Sequence, residues 1–252
     1  MKNVLTTIIL LLAPILGQSN LEKGMGFYLD RANGSSGMKA QAMPINSAIT
    51  FFEKAQSESE EEAMLALLKS YYYKGKFVAS GKEDKKTIFQ KGKDLGELAI
   101  KNYPKSAALR YWYLANLGSW SEVYGILTAA KEGVSDIMKE QAEAIIKLDP
   151  NYWNGGGHFM LGAVHFKSPY IPFLLSWPDN DDAVSFLTIA YETGKPTFTQ
   201  TVYLAKSLYK DKQKSKAIQI LTDLIQKPLS ADEPVEDFEQ QSLAKELLNE
   251  WK

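Results

Sequence analysis

The sequence predicts an all-α fold, an α-solenoid of helical hairpins finished by a closing C-terminal helix. Four apolar stretches begin at Leu68, Leu114, Leu161 and Leu204, with leucines 46, 47 and 43 residues apart, and helices paired at a fixed period are the signature of a solenoid. Stretches such as Ala48, Phe52, Ala55 and Ala217, Leu221, Leu224 set small and large apolar residues at steps of three and four, the spacing of one helix face. Between Gly37 and Lys252 no polar/apolar alternation is long enough for a strand.

Met1-Lys2-Asn3 is followed by an apolar run from Val4 to Leu16, broken only by Thr6, Thr7 and Pro14, and then by Gly17-Gln18-Ser19. Residues 1–19 therefore read as a signal peptide cut after Ser19. Retention as an anchor is the competing reading, although the run is shorter than the roughly 20 residues of a spanning helix. No Cys is present to carry a lipid. The rest, residues 20–252, is expected as one exported domain, periplasmic in a bacterium. Asn33 to Gly37 is its most flexible-looking internal segment. Ser57-Glu58-Ser59-Glu60 offers a capping box, and Asp149-Pro150, Asp179 to Asp182 and Asp232-Glu233-Pro234 mark helix starts or stops. Five helix pairs and a closing helix near Glu236 to Trp251 result.

Composition narrows the function. The 252 residues carry 29 Lys and Arg against 30 Asp and Glu, with two His and no Cys. Near-neutral charge argues against a nucleic-acid partner, and thiol chemistry, disulfides and Cys-ligated or three-His metal sites are excluded. No cofactor motif stands out. Gly155-Gly156-Gly157 lacks the Lys-Ser/Thr and preceding strand of a phosphate cradle and reads as close helix packing. Asp179 to Asp182 lacks the Gly and Glu of a calcium loop and reads as a helix cap. His158 and His165 lie about 10.5 Å apart along one helix, too far to share a metal, and read as core or pocket lining. With no framed nucleophile and no distinct acid/base pair, the chain is expected not to be an enzyme.

Leu204, Ala205, Leu208, Ala217, Leu221, Leu224 and Pro228 resemble the tetratricopeptide repeat. The other units exceed its length of about 34 residues; an addition of about 11 residues lengthens a helix while keeping its stripe on one face. Residues 167–180 are different, because Pro169, Pro172 and Pro178 forbid a continuous helix and require a shaped loop.

Aromatic residues crowd the middle repeats. Arg110, Trp112, Tyr113, Tyr152, Trp153, His158, Tyr170 and Trp177 form a candidate pocket, in which apolar rings and one guanidinium suit an amphipathic carboxylate. The competing reading packs the rings as core and pairs Arg110 with a surface Glu.

The segment from Asn151 to Gly162, then Ser168-Pro169 and a helix over Ala183 to Ala190, resembles the T-component family of TRAP transporters. Phe159 stands where that family commonly has Arg, and its lipid-carrying Cys is missing. The resemblance implies an accessory protein of solute uptake that binds the periplasmic solute-binding subunit and offers a hydrophobic ligand route; a homo-oligomer stays open. Intracellular microtubule-dynamics regulators share the repeat layout, but the export signal weighs against them. The rival function is a generic periplasmic scaffold for envelope proteins with no small-molecule site. A hydrolase would need two carboxylates converging in a cleft.

Overall fold

The structure, a computed structural model, describes residues 18–171, 173 and 175–251. Most of the expected leader, residues 1–17, and Pro172 of the insertion lie outside the described residues.

Twelve α-helices follow one another among the described residues: α1 (Asn20–Leu29), α2 (Ala42–Ala55), α3 (Glu60–Phe77), α4 (Lys82–Asn102), α5 (Ala107–Tyr124), α6 (Ile126–Lys131), α7 (Val134–Leu148), α8 (Tyr152–Lys167), α9 (Asn180–Thr193), α10 (Phe198–Lys210), α11 (Lys214–Leu224) and α12 (Pro234–Glu250). A 3-10 turn, Asp30–Ala32, follows α1. The hairpins are α1/α2, α3/α4, α5/α7, α8/α9 and α10/α11, with α12 packed on α10 and α11. The five pairs and the closing helix are those the period predicts, and the four repeat leucines sit on α3, α5, α8 and α10, each almost fully buried.

Local chemistry sets most boundaries. Ser19 caps α1 with Glu22, and Thr197 caps α10 with Gln200, each pair closing a reciprocal box. The expected box at Ser57 to Glu60 does not form: Ser59 is the N-cap of α3, but its hydroxyl bonds the Glu62 carboxylate rather than a backbone N–H. Asp179 caps α9, accepting from the amides of Asp181 and Asp182. Pro234 opens α12 at a position where a missing N–H costs nothing.

The surplus of the third unit is not a longer helix. Gly125 and Gly133, at φ 97° and 65°, take conformations that disfavour a Cβ and cut out the separate α6. The insertion after α8 is a loop, as its prolines require. A backbone pairing within it, between Ile171 and Leu175, and the bridge between Ser36 and Lys39 are isolated among the described residues.

Three apolar clusters run along the solenoid. The largest spans α3 to α11, a second joins α1 to α4, and a third joins α10, α11 and α12. Between hairpins, fully buried Asn116 donates from Nδ2 to the carbonyl of Leu68 at 3.0 Å and to that of Trp112 at 2.8 Å. Val235, at the start of α12, belongs to the N-terminal cluster beside Ile45 and Phe52. The closing helix thus bridges the two ends of the solenoid.

Candidate functional site

The bridge made by α12 borders a half-open chamber of about 810 Å³. Much of its wall is the inward faces of first helices, with Tyr72 and Lys76 on α3, Tyr111 and Trp112 on α5, Phe159 and Met160 on α8, and Tyr203 and Lys206 on α10; α6, α7 and the insertion add Ala129, Met138 and Pro169, Glu233 comes just before α12, and α12 adds Glu236, Glu239 and Gln240. First helices line the chamber because a solenoid turns one helix of every pair toward its concave side.

An aromatic cluster forms one wall. The Trp112 ring meets Tyr72 at 5.7 Å and Trp153 at 5.4 Å, both edge to face, and Tyr111 meets Tyr152 at 5.6 Å, an arrangement that complements ring quadrupoles. Lys69 Nζ lies 5.6 Å and 5.5 Å from the Trp112 and Trp153 ring centres. A left-handed turn at the start of α8 aims Trp153. Trp153, Asn154 and Gly155 take φ of 49°, 54° and 76°, which costs the two non-glycine residues about 1–2 kcal/mol each. Gln200, nearly fully buried, holds the turn by donating to the Asn154 carbonyl at 3.0 Å. The glycines after it allow close approach, since a Cβ on Gly156 would lie 2.7 Å from the Tyr111 ring and one on Gly157 2.8 Å from Ile146. The packing reading of the three glycines thus fits this geometry.

Charge is distributed unevenly around the chamber. Lys76 pairs with Glu239 and Lys167 with Glu122, each at 2.9 Å. Burial works against the Lys76 charge, but the Glu239 carboxylate outweighs it and its pKa rises. Burial, assisted by Lys167, lowers that of Lys206, and burial with Arg31 nearby lowers that of Lys69. Burial also raises the Tyr72, Tyr111 and Tyr203 hydroxyls. At the start of α12, burial and the Glu236 charge push the Glu233 carboxyl up to about 7.

The residues singled out from sequence divide. Trp112 and Trp153 line the chamber, and Tyr152 packs behind them against Tyr111. The other five point elsewhere. Tyr113 faces the opposite side of α5, over Gly96 of α4, where a Cβ would lie 2.3 Å from its ring. Arg110 leaves the chamber to bond Gln141 and the Pro104 carbonyl, so its guanidinium is turned from the rings, and it pairs with no Glu among the described residues. His158 stacks on Phe186 at 6.4 Å, and burial lowers its pKa. Tyr170 is exposed on the insertion. Trp177 packs edge-on against His165 at 4.9 Å and donates to Asp136 at 2.8 Å. Sequence reasoning missed Tyr72, Lys76, Tyr203 and Lys206. A signal existed, since Lys76 and Glu122 each stand eight residues after a repeat leucine. The acids of α12 had none, because only ring closure brings them here.

Comparison with known proteins corrects the family. The profile described as "Regulator of microtubule dynamics protein 1-3" matches residues 34–172, more than half of the chain. Regulator of microtubule dynamics protein 3 of Rattus norvegicus is 32% identical over 91 residues, 36% of this chain and 18% of that protein. The Mus musculus protein of the same name is 32% identical over 90 residues, again 36% and 18%. These matches span under a fifth of the relatives' length. A thermophilic TPR protein of Thermus thermophilus superposes with a TM-score of 0.61 at 14% identity, covering 91% of this chain and 97% of that one, which shows the fold alone.

The TRAP T-component resemblance is overturned. Its specific segment, Asn151 to Gly162, lies inside the matched residues, and physically it encodes a left-handed turn and close helix contacts, a packing device open to any such solenoid. The periplasmic solute-binding partner goes with it. The match begins at residue 34, so an export signal expected in residues 1–19 does not weigh against the microtubule regulators. The chain belongs to the regulator of microtubule dynamics protein 1-3 family.

Proposed function

We propose that the chain is a non-enzymatic interaction scaffold whose interior chamber receives a segment of another protein. The observation that carries this is the chamber itself, about 810 Å³, walled by rings on rigid helices and set in a TPR-like fold. A rigid aromatic wall gives large contact area at little cost in side-chain entropy. The family's name carries over as a proposal that the bound protein belongs to the microtubule machinery. The leader carries over as a proposal that residues 1–19 are removed on export, and the two make opposing demands on where the protein resides.

Photo-crosslinkers placed in turn at Ser119 and Thr199 in the chamber, and at exposed Lys91 outside it, test the reading in the native host. A discrete protein adduct from the chamber positions and none from Lys91 is expected. Adducts at Lys91 alone, or at no position, would sink the chamber as the binding surface. Tubulin as the adduct would tie the chain to microtubules.

A further inference from the structure

Two segments that interrupt the repeat lie side by side and share one composition. Residues 123–130, from the end of α5 into α6, and residues 168–178 of the insertion carry no charged side chain. They meet in space, since Ala130 and Leu175 border one small cavity with Asp136 of α7. Each leaves large apolar side chains in water: Leu127 is 76% exposed, Tyr170 64% and Phe173 106%. A single exposed apolar residue needs no explanation, but three on two adjoining uncharged segments mark an interaction surface.

The insertion holds Phe173 outward. Ile171 and Leu175 exchange backbone bonds, each amide donating to the other's carbonyl at 2.8 Å, which closes a tight turn with Phe173 at its centre. Phe173 takes φ 65°, a left-handed conformation unfavourable for a residue with a Cβ. The base of the loop is fastened: Leu175 and Pro178 are buried, the Ser168 and Ser135 hydroxyls bond at 2.8 Å, and Trp177 donates to Asp136 at 2.8 Å. A strained backbone tied at both ends, with its ring turned to water, points to function, because packing gains nothing from it.

Shape and charge set the occupant. A ring as exposed as in an extended chain is bare on every side, so a protein partner must bring a socket cut to it. The boundary between lipid headgroups and acyl chains closes around a protruding ring of any shape. Glu122 and Lys131 bound the first segment and Lys167 and Asp179 the second, two acids against two bases, which gives an anionic surface no advantage. No described helix is long and apolar enough to cross a membrane, so the contact is peripheral.

We propose that the Pro-rich insertion and α6 dock the chain on a zwitterionic lipid surface, with Phe173 and Leu127 seated at the acyl boundary and Tyr170 at the headgroups. The inference goes beyond the partner reading and stands or falls separately from it.

The chain has no Cys, so Phe173→Cys, Leu127→Cys and, as a control on exposed α4, Lys91→Cys each take one environment-sensitive fluorophore. The chain beginning at Ser19 is used, so that the apolar leader contributes no binding. With phosphatidylcholine vesicles, the labels at 173 and 127 are expected to brighten severalfold with a blue shift, and that at 91 to stay unchanged. In flotation of the unlabelled chain with the same vesicles, Phe173→Asp should lower the partition coefficient about tenfold, the loss of one buried phenyl ring. The exposed position leaves the core untouched, and circular dichroism checks the fold. No response at 173, an equal response at all three positions, or flotation indifferent to Phe173→Asp overturns the proposal. Brightening that grows with protein concentration without vesicles makes a second copy the occupant and overturns it too. Binding that requires phosphatidylserine and is lost in salt overturns the zwitterionic surface.

Discussion

Arg31 and Glu236, 205 positions apart, meet at 3.1 Å and fasten the last helix to the first hairpin. Arg31 also lies 4.6 Å and 5.1 Å from the Tyr28 and Tyr73 ring centres, and Tyr73 donates to its carbonyl at 3.1 Å. The guanidinium is nearly fully buried, so removing either partner leaves a buried charge uncompensated, a loss of about 3–5 kcal/mol. Arg31→Met should therefore lower stability to urea by that order. Amide exchange should rise over Val235 to Gln240 more than over Ala244 to Leu248, because the second half of α12 has its own apolar anchor in the C-terminal cluster. Uniform acceleration along α12 would show that the pair is not the fastening.

Glu233 makes stability depend on pH. Its carboxyl is raised from 4.5 to about 7 by burial and by Glu236, so the folded state holds its proton more tightly than the unfolded one. The stabilisation this gives is fully present below the unfolded value, declines as pH rises from about 4.5 through about 7, and is absent above. Glu233→Gln should remove that decline, leaving the variant more stable than the parent at pH 8 by on the order of 1–2 kcal/mol after screening, with little difference at pH 4.5. Urea melts across this range measure it, and parallel curves for the two proteins would contradict it.

The fold was legible because hairpin packing repeats. Leu68, Leu114, Leu161 and Leu204 answer to one local rule, and so do Ala217, Leu221 and Leu224. The chamber was only half legible. Trp112 and Trp153 stood out as aromatic, but Arg110 was assigned to it by its place relative to Leu114, and helical phase alone does not tell the inward face from the seam facing α7. Glu233, Glu236 and Gln240 were beyond any local pattern, since what makes them a site is a contact across the whole ring. The family was misread on Asn151 to Gly162, where a backbone turn and tight packing select the residues that were taken for a functional mark.

Two glycines should respond oppositely to alanine. In α1, a Cβ on Gly26 meets nothing within 4 Å, so Gly26→Ala should stabilise by about 0.5–1 kcal/mol through backbone entropy. In α8, a Cβ on Gly157 would lie 2.8 Å from Ile146 Cγ1 and 3.0 Å from its backbone nitrogen. The backbone atom cannot yield as a side chain can, and Gly157→Ala should destabilise by about 1–3 kcal/mol. Melting temperatures of the two variants, moving in opposite directions, check the pair.

The proposed cut after Ser19 has a structural consequence at the new terminus. Ser19 caps α1, and such a cap is worth about 0.5–2 kcal/mol. Asn20, which would become the first residue, already donates from its backbone nitrogen to Glu58 Oε2 at 3.0 Å. Cutting there would turn that nitrogen into an ammonium facing a carboxylate, but Glu58 is exposed, and an exposed ion pair returns only about 0–1 kcal/mol. The lost cap outweighs the gained pair, since the new ammonium also faces the positive end of the helix dipole and the bond from the Lys23 amide to the Ser19 carbonyl goes too, and the cut chain should melt a few degrees below one that keeps Ser19. Because the ammonium raises the weight of Glu58, Glu58→Gln should cost the cut chain more than the uncut one, by under about 1 kcal/mol. N-terminal sequencing of protein from the native host decides the premise, with Asn20 as the expected first residue and a retained leader as the result that would remove it.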